Sequence, residues 1–398
     1  MTKLRQIKGT PRWKLHLFWY LTYAYFQNEH FFNSFVAKLK SFFSAVEDRF
    51  YKKRWSHIEI RNPIFIVAPH RSGTTILQQA LCFHSSIATP RTYSDLFDMI
   101  PILAERFIRP FFPELSDRMI DRILVGRDTP QEAQGLLSRY FDRKFIPYNR
   151  MSAEDLARYI RKLQYLEKKT RFLWKAPYMT HHVTEIASLF PDSQFIYIHR
   201  DPVVCVASKL KFIKIWQRIA RPPSILYRHL VGKHQNFSLL QMGYFMEQAN
   251  RTVNLFHADL DSRAMAEDHL LWMEKALRDL TNLHDPRRCC FLDYETLSDQ
   301  PKDSLPKLFD FLGLLDESDD VLDKMKEIGM PLRKPMPAYE YVPEEELREI
   351  ARMCRGRIQK IRNLINRNDW YLIKAPSLDS SSIDAGEYIT GRSKSLRR

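Results

Sequence analysis

The chain has 398 residues, of which 44% are hydrophobic, and a formal net charge of +15. This apolar content is sufficient for a large core and excludes a wholly disordered chain. The positive charge favours an anionic partner: a nucleotide, a sulfated or phosphorylated acceptor, nucleic acid or an anionic membrane. The five cysteines are irregularly spaced and show no metal-ligand pattern, so we predict buried free thiols, no metal and a reducing compartment.

Residues 1–61 are predicted to form a helical N-terminal extension. Aromatic residues are concentrated in Trp13–Phe26, which also contains Lys14 and His16. This stretch is too short and too polar for a membrane span of about 20 residues, and it lacks a signal-peptide cleavage site. Two interpretations stay open: an amphipathic helix packed on protein, or an interfacial helix that contacts a membrane peripherally. We therefore expect a cytoplasmic protein, with peripheral membrane contact through this stretch as the alternative.

The stretch Ile64–Cys82 predicts a buried strand, a tight turn and a helix. The candidate ligand-binding residues of the turn are His70, Arg71, Ser72, Gly73, Thr74 and Thr75. Such a turn binds phosphate-like groups, because the first N–H groups of the helix have no intrahelical partner and the helix dipole adds positive charge. Arg71 adds a cation with fork geometry, and Gly73 lets the backbone approach a ligand closely. The alternative is an ordinary turn in which a serine or threonine caps the helix.

Two carboxylates follow in the next part of the chain. A short strand is predicted at Ile87–Thr89, and Asp95 comes after it in a loop or helix start. Residues 102–170 have mainly helical patterns, interrupted by prolines. Within them, Glu132 is predicted to lie at the start of a helix that Thr129 caps.

Two further strands are each followed by a cation. Arg171–Trp174 leads into Lys175, and Phe195–Ile198 leads into Arg200. Each strand is followed by a helical pattern, so these strand–helix–strand units predict a parallel sheet that helices cover on both faces. Ligands of such sheets bind at the carboxyl ends of the strands. Arg71, Lys175 and Arg200 are therefore predicted to converge around a polyanionic nucleotide.

Three separated motifs resemble one enzyme family. The loop P-H-R-S-G-T-T resembles the 5′-phosphosulfate loop of sulfotransferases that use 3′-phosphoadenosine-5′-phosphosulfate (PAPS), in the arginine-bearing form of tyrosylprotein and bacterial-type enzymes. The run from K-A-P through L-F-P-D to R-D-P, and the later Y-E-x-L-x-x-x-P, are similar to the same family. The resemblance covers roughly residues 62–315. The R-K-G-x-x-G stretch of the cytosolic branch is absent, and Leu332–Lys334 is only a loose substitute for it.

The resemblance implies a fold, a domain organisation and a co-substrate. The fold would be a P-loop-NTPase-like α/β domain with a central parallel sheet, spanning residues 62–375 with helical insertions. Residues 376–398 would form a disordered polar tail. The co-substrate would be PAPS, with no metal, and the chain would transfer its sulfuryl group to a hydroxyl or amine acceptor. That acceptor would be a small molecule, a glycan or a lipid rather than a nucleic acid.

The resemblance also assigns roles to the candidate residues. The loop would hold the 5′-phosphosulfate, and Arg200 with Ser208, eight positions later, would hold the 3′-phosphate. Lys175 would stabilise the bridging oxygen, although a salt bridge to an acidic neighbour is the alternative. Ser208 is otherwise an ordinary helix-face serine.

The acceptor needs a base. Asp95 is the first choice, Glu132 the second, and His181 or His182 the third.

Two other functions compete with sulfuryl transfer. One is a nucleotide kinase or ATPase with a degenerate phosphate loop, which Thr74 disfavours because a lysine should stand at that position. The other is a basic membrane-associated binding protein, which would explain the charge but not the three ordered motifs.

Overall fold

The computed structural model describes residues 33–111, 116–117, 124–141, 151–219, 261–283, 285–332, 342–366 and 370–373. The chain divides into two compact units. Unit 1 contains Met1–Glu59, Thr89–Lys168 and Ile219–His257, and unit 2 contains Ile60–Ala88, Lys169–Arg218 and Ala258–Arg398. Trp13–Phe26 and the tail 376–398 lie outside the described residues, as do Arg333 and Lys334. The domain boundaries at 61/62 and 375/376 stay predictions.

The described strands are β1 (Ile64–Val67), β2 (Ile87–Ala88), β3 (Ser116–Asp117), β4 (Leu124–Val125), β5 (Arg171–Lys175), β6 (Gln194–His199), β7 (Cys289–Asp293) and β8 (Tyr371–Ile373). Six of them form one sheet in unit 2, in the order β2-β5-β1-β6-β7-β8, and all its neighbouring strands are parallel. In unit 1, β3 and β4 form an antiparallel pair.

The described helices are α1 (Asn33–Trp55), α2 (Thr74–Cys82), α3 (Thr92–Leu96), α4 (Gln134–Phe141), α5 (Ala153–Glu167), α6 (Val183–Leu189), α7 (Pro202–Ile219), α8 (Ser262–Thr281), α9 (Tyr294–Asp299), α10 (Pro301–Leu312), α11 (Ser318–Glu327) and α12 (Glu344–Asn366). Shorter helical turns occupy Pro101–Leu103, Ala104–Ile108, Arg109–Phe111, Pro177–His181 and Pro286–Arg288. Within the described part of the chain, helices that are both apolar enough and long enough to cross a bilayer are not found.

The central strand β1 shows why the sheet is buried on both faces. Its four residues are all buried, as an uninterrupted apolar strand of a parallel sheet should be. Ile64 and Ile66 belong to a core that α2, α10 and α11 also supply. The Phe65 ring lies 5.8 Å from the ring of Phe190, the residue that ends α6. The predicted fold class, a parallel sheet flanked by helices, is therefore confirmed.

Two of the helix caps predicted from the sequence are found in the structure, and a third is not. Asp201 accepts a hydrogen bond from the Val203 N–H at 2.8 Å where α7 begins, and Gly313 ends α10 with a φ of 64°. Thr129 does not cap a helix, because α4 begins only at Gln134. Instead, the Thr129 hydroxyl donates to the Gly126 carbonyl at 2.9 Å, so it closes a turn. The left-handed φ of 46° at Ala133 prevents an earlier helix start.

Candidate functional site

The turn between β1 and α2 has an unusual backbone. Arg71 and Gly73 both lie in the left-handed region, with φ of 71° and 93°. Gly73 is the N-cap residue of α2, and no side chain among the described residues caps that helix. The first N–H groups of α2 therefore point into the turn without a side-chain acceptor at the cap. A side chain at Gly73 would overlap the ring of Tyr294, so both the conformation and the space require glycine here.

The side chain of Arg71 is fixed by helix α7. Its Nε donates a hydrogen bond to Ser208 Oγ at 3.1 Å. Its guanidinium carbon lies 5.1 Å from the centre of the Phe212 ring, within the range of a cation–π contact. These two contacts hold a cation at the mouth of the turn in a defined orientation.

Arg200 follows β6 and is buried beneath the same turn. One guanidinium nitrogen, Nη1, donates to the backbone carbonyl of Arg71 at 2.9 Å. The guanidinium also lies over the Tyr294 ring, 4.8 Å from its centre. Its Nε is buried and has no hydrogen-bond partner among the described residues, and it lies 3.8 Å from Glu295 Oε1. A buried N–H without a hydrogen bond is a donor that an anionic ligand can use.

Glu295 lies next to Arg200 and has an unusual pKa. The pKa of its carboxyl is raised to about 8, mainly by burial and then by the neighbouring Asp293, whereas Arg200 opposes the shift. Glu295 is therefore largely protonated at neutral pH, and it does not fully neutralise the Arg200 cation.

Lys175 ends β5 and is also buried. Its Nζ donates to the hydroxyl of Thr75, in the first turn of α2, at 3.1 Å. The turn that follows Lys175 is bonded to the loop as well, because the Thr180 hydroxyl donates to the Ala68 carbonyl at 2.9 Å. Lys175 and the turn that follows it are therefore both hydrogen-bonded to the segment that follows β1.

The remaining loop residues differ in exposure. Ser72 is buried, and its Oγ lies 3.9 Å from Cys205 Sγ on α7. Thr74 is buried in the first turn of α2. His70 is exposed, and its ring centre lies 5.5 Å from that of Trp272 on α8.

The predicted convergence of cations is thus present in unit 2. Arg71, Lys175 and Arg200 follow or end three neighbouring strands. Arg71 belongs to the turn, and hydrogen bonds join Lys175 and Arg200 to turn residues. All five cysteines are also buried and free, as expected.

The candidate bases are divided between the two units. Asp95 lies half-buried on α3, and Glu132 lies half-buried in the irregular segment before α4, both in unit 1. His181 belongs to unit 2, where its ring packs edge-to-face on Trp272 with the ring centres 4.0 Å apart. Burial, and secondarily the adjacent His182, lower the pKa of His181 below its ordinary value. His181 is therefore neutral at neutral pH, the state that a general base needs.

Several residues that surround the cations had no role predicted from the sequence. Tyr294 and Glu295 contact Arg200, Phe212 contacts Arg71, and Cys205 contacts Ser72. Tyr294 and Glu295 lie in the Y-E-x-L motif that carried part of the resemblance, so a signal was present for them. The apolar residues on α7 gave no such signal, because they look like ordinary core residues of an amphipathic helix.

Comparisons with known proteins agree with this geometry. The family model described as "Sulfotransferase family" matches residues 63–318, more than half of the chain. The chain is 25% identical over 279 residues to omega-hydroxy-beta-dihydromenaquinone-9 sulfotransferase Stf3 of Mycobacterium bovis. That alignment covers 64% of this chain and 63% of Stf3, so the chain spans less than two thirds of this relative's length.

Solved sulfotransferase structures are also similar to the chain. The match to sulfotransferase STF9 from Mycobacterium avium has a TM-score of 0.46 and 14% identity, and it covers 83% of each chain. A structure of retinol dehydratase in a complex with retinol and PAP matches with a TM-score of 0.29 and 15% identity, over 77% of this chain and 84% of that one. The extent of the family match, in the region that contains the loop and all three cations, is decisive: the chain belongs to the sulfotransferase family.

Proposed function

We propose that this protein transfers a sulfuryl group from PAPS to the hydroxyl group of a small apolar acceptor, and that it releases adenosine 3′,5′-bisphosphate (PAP). The observation that carries the proposal is the joined cluster of Arg71, Lys175 and Arg200 at the carboxyl ends of β1, β5 and β6. Such a cluster suits a ligand with several negative charges, and family membership supports PAPS as that ligand.

The donor set of the loop fits a phosphosulfate group. The left-handed turn and the N-terminus of α2 supply backbone N–H groups, and Gly73 permits the left-handed conformation of that turn. We assign the 5′-phosphosulfate to this turn, with Arg71, Thr74 and Thr75 as its side-chain donors and His70 and Ser72 at its rim and base. PAPS would supply the activated sulfuryl group, and the protein would position it.

Arg200 and Ser208 fit the 3′-phosphate. The Arg200 guanidinium donates to the backbone carbonyl of Arg71, and the Ser208 hydroxyl accepts from the Arg71 side chain. A phosphate bound between them would meet the Arg200 Nε, which is buried and has no hydrogen-bond partner among the described residues. The Tyr294 ring packs against the Arg200 guanidinium and helps to hold it in place.

Lys175 is the proposed electrostatic catalyst. Its ammonium is buried and held 3.1 Å from Thr75, beside the turn assigned to the phosphosulfate. There it would donate to the bridging oxygen on which negative charge develops. Asp95 stays our first candidate for the base that accepts the proton of the acceptor, with Glu132 as the second. His181 is the candidate within unit 2, supported by its lowered pKa and its place beside the loop through Trp272.

We infer the chemical class of the acceptor from Stf3, the relative whose name includes its substrate. Stf3 is named for a hydroxylated dihydromenaquinone, an apolar molecule with a hydroxyl group. An apolar alcohol is therefore the first class to test, ahead of glycans, phenols and amines.

The first prediction concerns nucleotide binding. In thermal-shift and calorimetric titrations of the full chain, we expect PAP to stabilise the protein, ADP to do so less, and ATP with magnesium to have no specific effect. Arg200→Ala should weaken PAP binding about 10- to 100-fold, because a hydrogen bond to a charged group contributes about 1.5–3 kcal/mol. The ADP response should change little, since ADP has no 3′-phosphate.

Arg287→Ala is the matched control, because Arg287 is an exposed arginine of the same unit and pairs only locally with Asp285. It should bind PAP as the parent does. Stabilisation by ATP with magnesium alone would reject the sulfotransferase proposal in favour of a kinase or ATPase. Equal binding of PAP and ADP would reject the assignment of the 3′-phosphate to Arg200.

The second prediction uses the pKa of Glu295. A phosphate at Arg200 adds negative charge beside this carboxyl, so the bound state should favour protonated Glu295 more strongly than the free state does. Because the pKa in the free protein is about 8, binding above that pH requires proton uptake. The affinity for PAP should therefore fall as the pH rises through 8, by up to about tenfold per pH unit. Calorimetry at pH 7 and 9 measures this, and Glu295→Gln should remove the dependence; a dependence that persists in that variant would refute it.

A further inference from the structure

We propose that the exposed face of helix α1 docks on the surface of a bilayer that contains anionic lipids. This surface, the α1 face, consists of Phe42, Phe43 and Phe50 together with Arg49 and Lys53. It belongs to unit 1, and none of its residues takes part in the site proposed above.

The apolar part of the α1 face is unusually exposed for phenylalanine. The exposed fractions of Phe42, Phe43 and Phe50 are 61%, 40% and 71%. Large apolar side chains on one helix that stay this exposed mark an interaction surface more often than isolated ones do. The rings of Phe42 and Phe43 also pack edge-to-face, 5.5 Å apart, so the two form a joint projection.

Helical spacing places these side chains on one side of α1. At 100° per residue, Phe42, Arg49 and Lys53 share one line along the helix, and Phe43 and Phe50 lie on the adjacent line. The opposite side carries Ser44, Glu47 and Trp55, which are buried within the protein. The α1 face is therefore the side of the helix that does not pack on the described residues of unit 1.

The charge on the α1 face has a single sign. Glu47 and Asp48 are the acidic residues of α1, and both pair with the buried Lys162 at 2.9 Å, on the packed side. Arg49 and Lys53 are exposed, and the residues three and four positions away from each of them along the chain include no acidic residue. Exposed phenylalanines flanked only by cations are the pattern of a helix that lies in the interface of an anionic membrane.

Charge also argues against a second copy of the chain as the occupant. A two-fold interface would bring the same surface patch of both copies together. The two cations of one copy would then face those of the other, without any acidic residue of α1 on that side to offset them. Anionic lipid headgroups offset the charge, and the acyl boundary accepts the phenylalanines.

The test is co-sedimentation of the full chain with vesicles of phosphatidylcholine alone or with phosphatidylglycerol. We expect binding to the anionic vesicles, weakened by salt. The variant F42S/F50S should bind at least about tenfold more weakly, since each buried phenylalanine contributes about that factor or more. The variant R49Q/K53Q should also lose at least about tenfold, because each cation near an anionic surface contributes about fivefold.

Leu315→Ser is the matched control. Leu315 has an exposed fraction of 79%, but it precedes Asp316 and Glu317, so its surroundings are acidic. This variant should bind vesicles as the parent does, and circular dichroism should show all variants folded. The proposal is overturned if the parent does not bind anionic vesicles, or if the α1 variants bind as tightly as the parent. It is also overturned if the parent is a dimer that F42S/F50S dissociates while neither protein binds vesicles.

Discussion

Replacing Lys175 by methionine is expected to lower the rate of sulfuryl transfer about 100- to 1,000-fold, the usual cost of removing one preorganised donor to a developing anion. Methionine keeps the length and the apolar stem of the side chain, so the buried end of β5 should keep its packing. The effect should appear in kcat, because the ammonium acts on charge that develops only during transfer.

The measurement is single-turnover transfer from PAPS to a long-chain isoprenoid alcohol such as geranylgeraniol, with the Kd for PAP determined separately by calorimetry. The Kd should stay within about threefold of the parent value, since the loop and Arg200 supply most of the binding. Lys302→Met is a control, because Lys302 is an exposed lysine of the same unit that pairs with Asp319. If the affinity for PAP fell as much as the rate, Lys175 would be a binding residue rather than the catalyst proposed here.

The elements that position the site were predictable from local sequence. β1, β5 and β6 are short, mainly apolar runs. Lys175 is the last residue of β5, Arg200 directly follows β6, and Arg71 lies in the turn after β1. A buried parallel strand needs such a run, and the end of the run is therefore visible without knowledge of its neighbours. The rule that ligands bind at the carboxyl ends of these strands then brings Arg71, Lys175 and Arg200 together.

Other parts of the fold depend on partners that are distant in the chain. β8 has only three residues and is stabilised as a strand by its pairing with β7, so its own pattern is too short to identify it. The place of Thr129 is set by the segment that it closes and by the bridge between Arg91 and Pro130, not by helix propensity. The Tyr294 ring beside Gly73 is likewise a contact between two motifs that the sequence shows only separately.

In unit 1, the environment of Lys162 also depends on residues that are distant in the chain. In the sequence, it occupies one position of an amphipathic helix that is rich in charged residues, where a lysine is normally solvated. In the structure, 1% of its side chain is exposed, and none of the Glu47 side chain is. Its Nζ lies 2.9 Å from carboxylate oxygens of both Glu47 and Asp48, and 5.3 Å from the centre of the Trp55 ring. The second oxygen of Glu47 accepts the Leu103 N–H at 2.7 Å.

Disrupting this network is the second change for which we expect a large effect. Lys162→Met should lower the free energy of unfolding by about 3–5 kcal/mol, because it leaves the Glu47 carboxylate buried without its counter-ion. Urea unfolding of the full chain, followed by tryptophan fluorescence, measures the loss, and Trp55 reports on the site directly. Arg161→Met is the control on the same helix, because Arg161 pairs with the exposed Glu154 and its removal should cost less than about 1 kcal/mol.

The pH dependence separates an unpaired charge from a packing defect. Burial already raises the pKa of Glu47 above its ordinary value of 4.5, and Lys162 is the main opposing influence. Without Lys162 the pKa rises further, so the folded variant binds a proton that the unfolded chain has released, and its stability falls as the pH rises above about 4.5. The deficit relative to the parent should therefore be small near pH 4 and widen toward pH 7, and adding Glu47→Gln should restore most of it. If the loss of stability were equal at both pH values and unchanged by Glu47→Gln, Lys162 would stabilise the fold through its packing. Its pairing with the Glu47 charge would then contribute nothing.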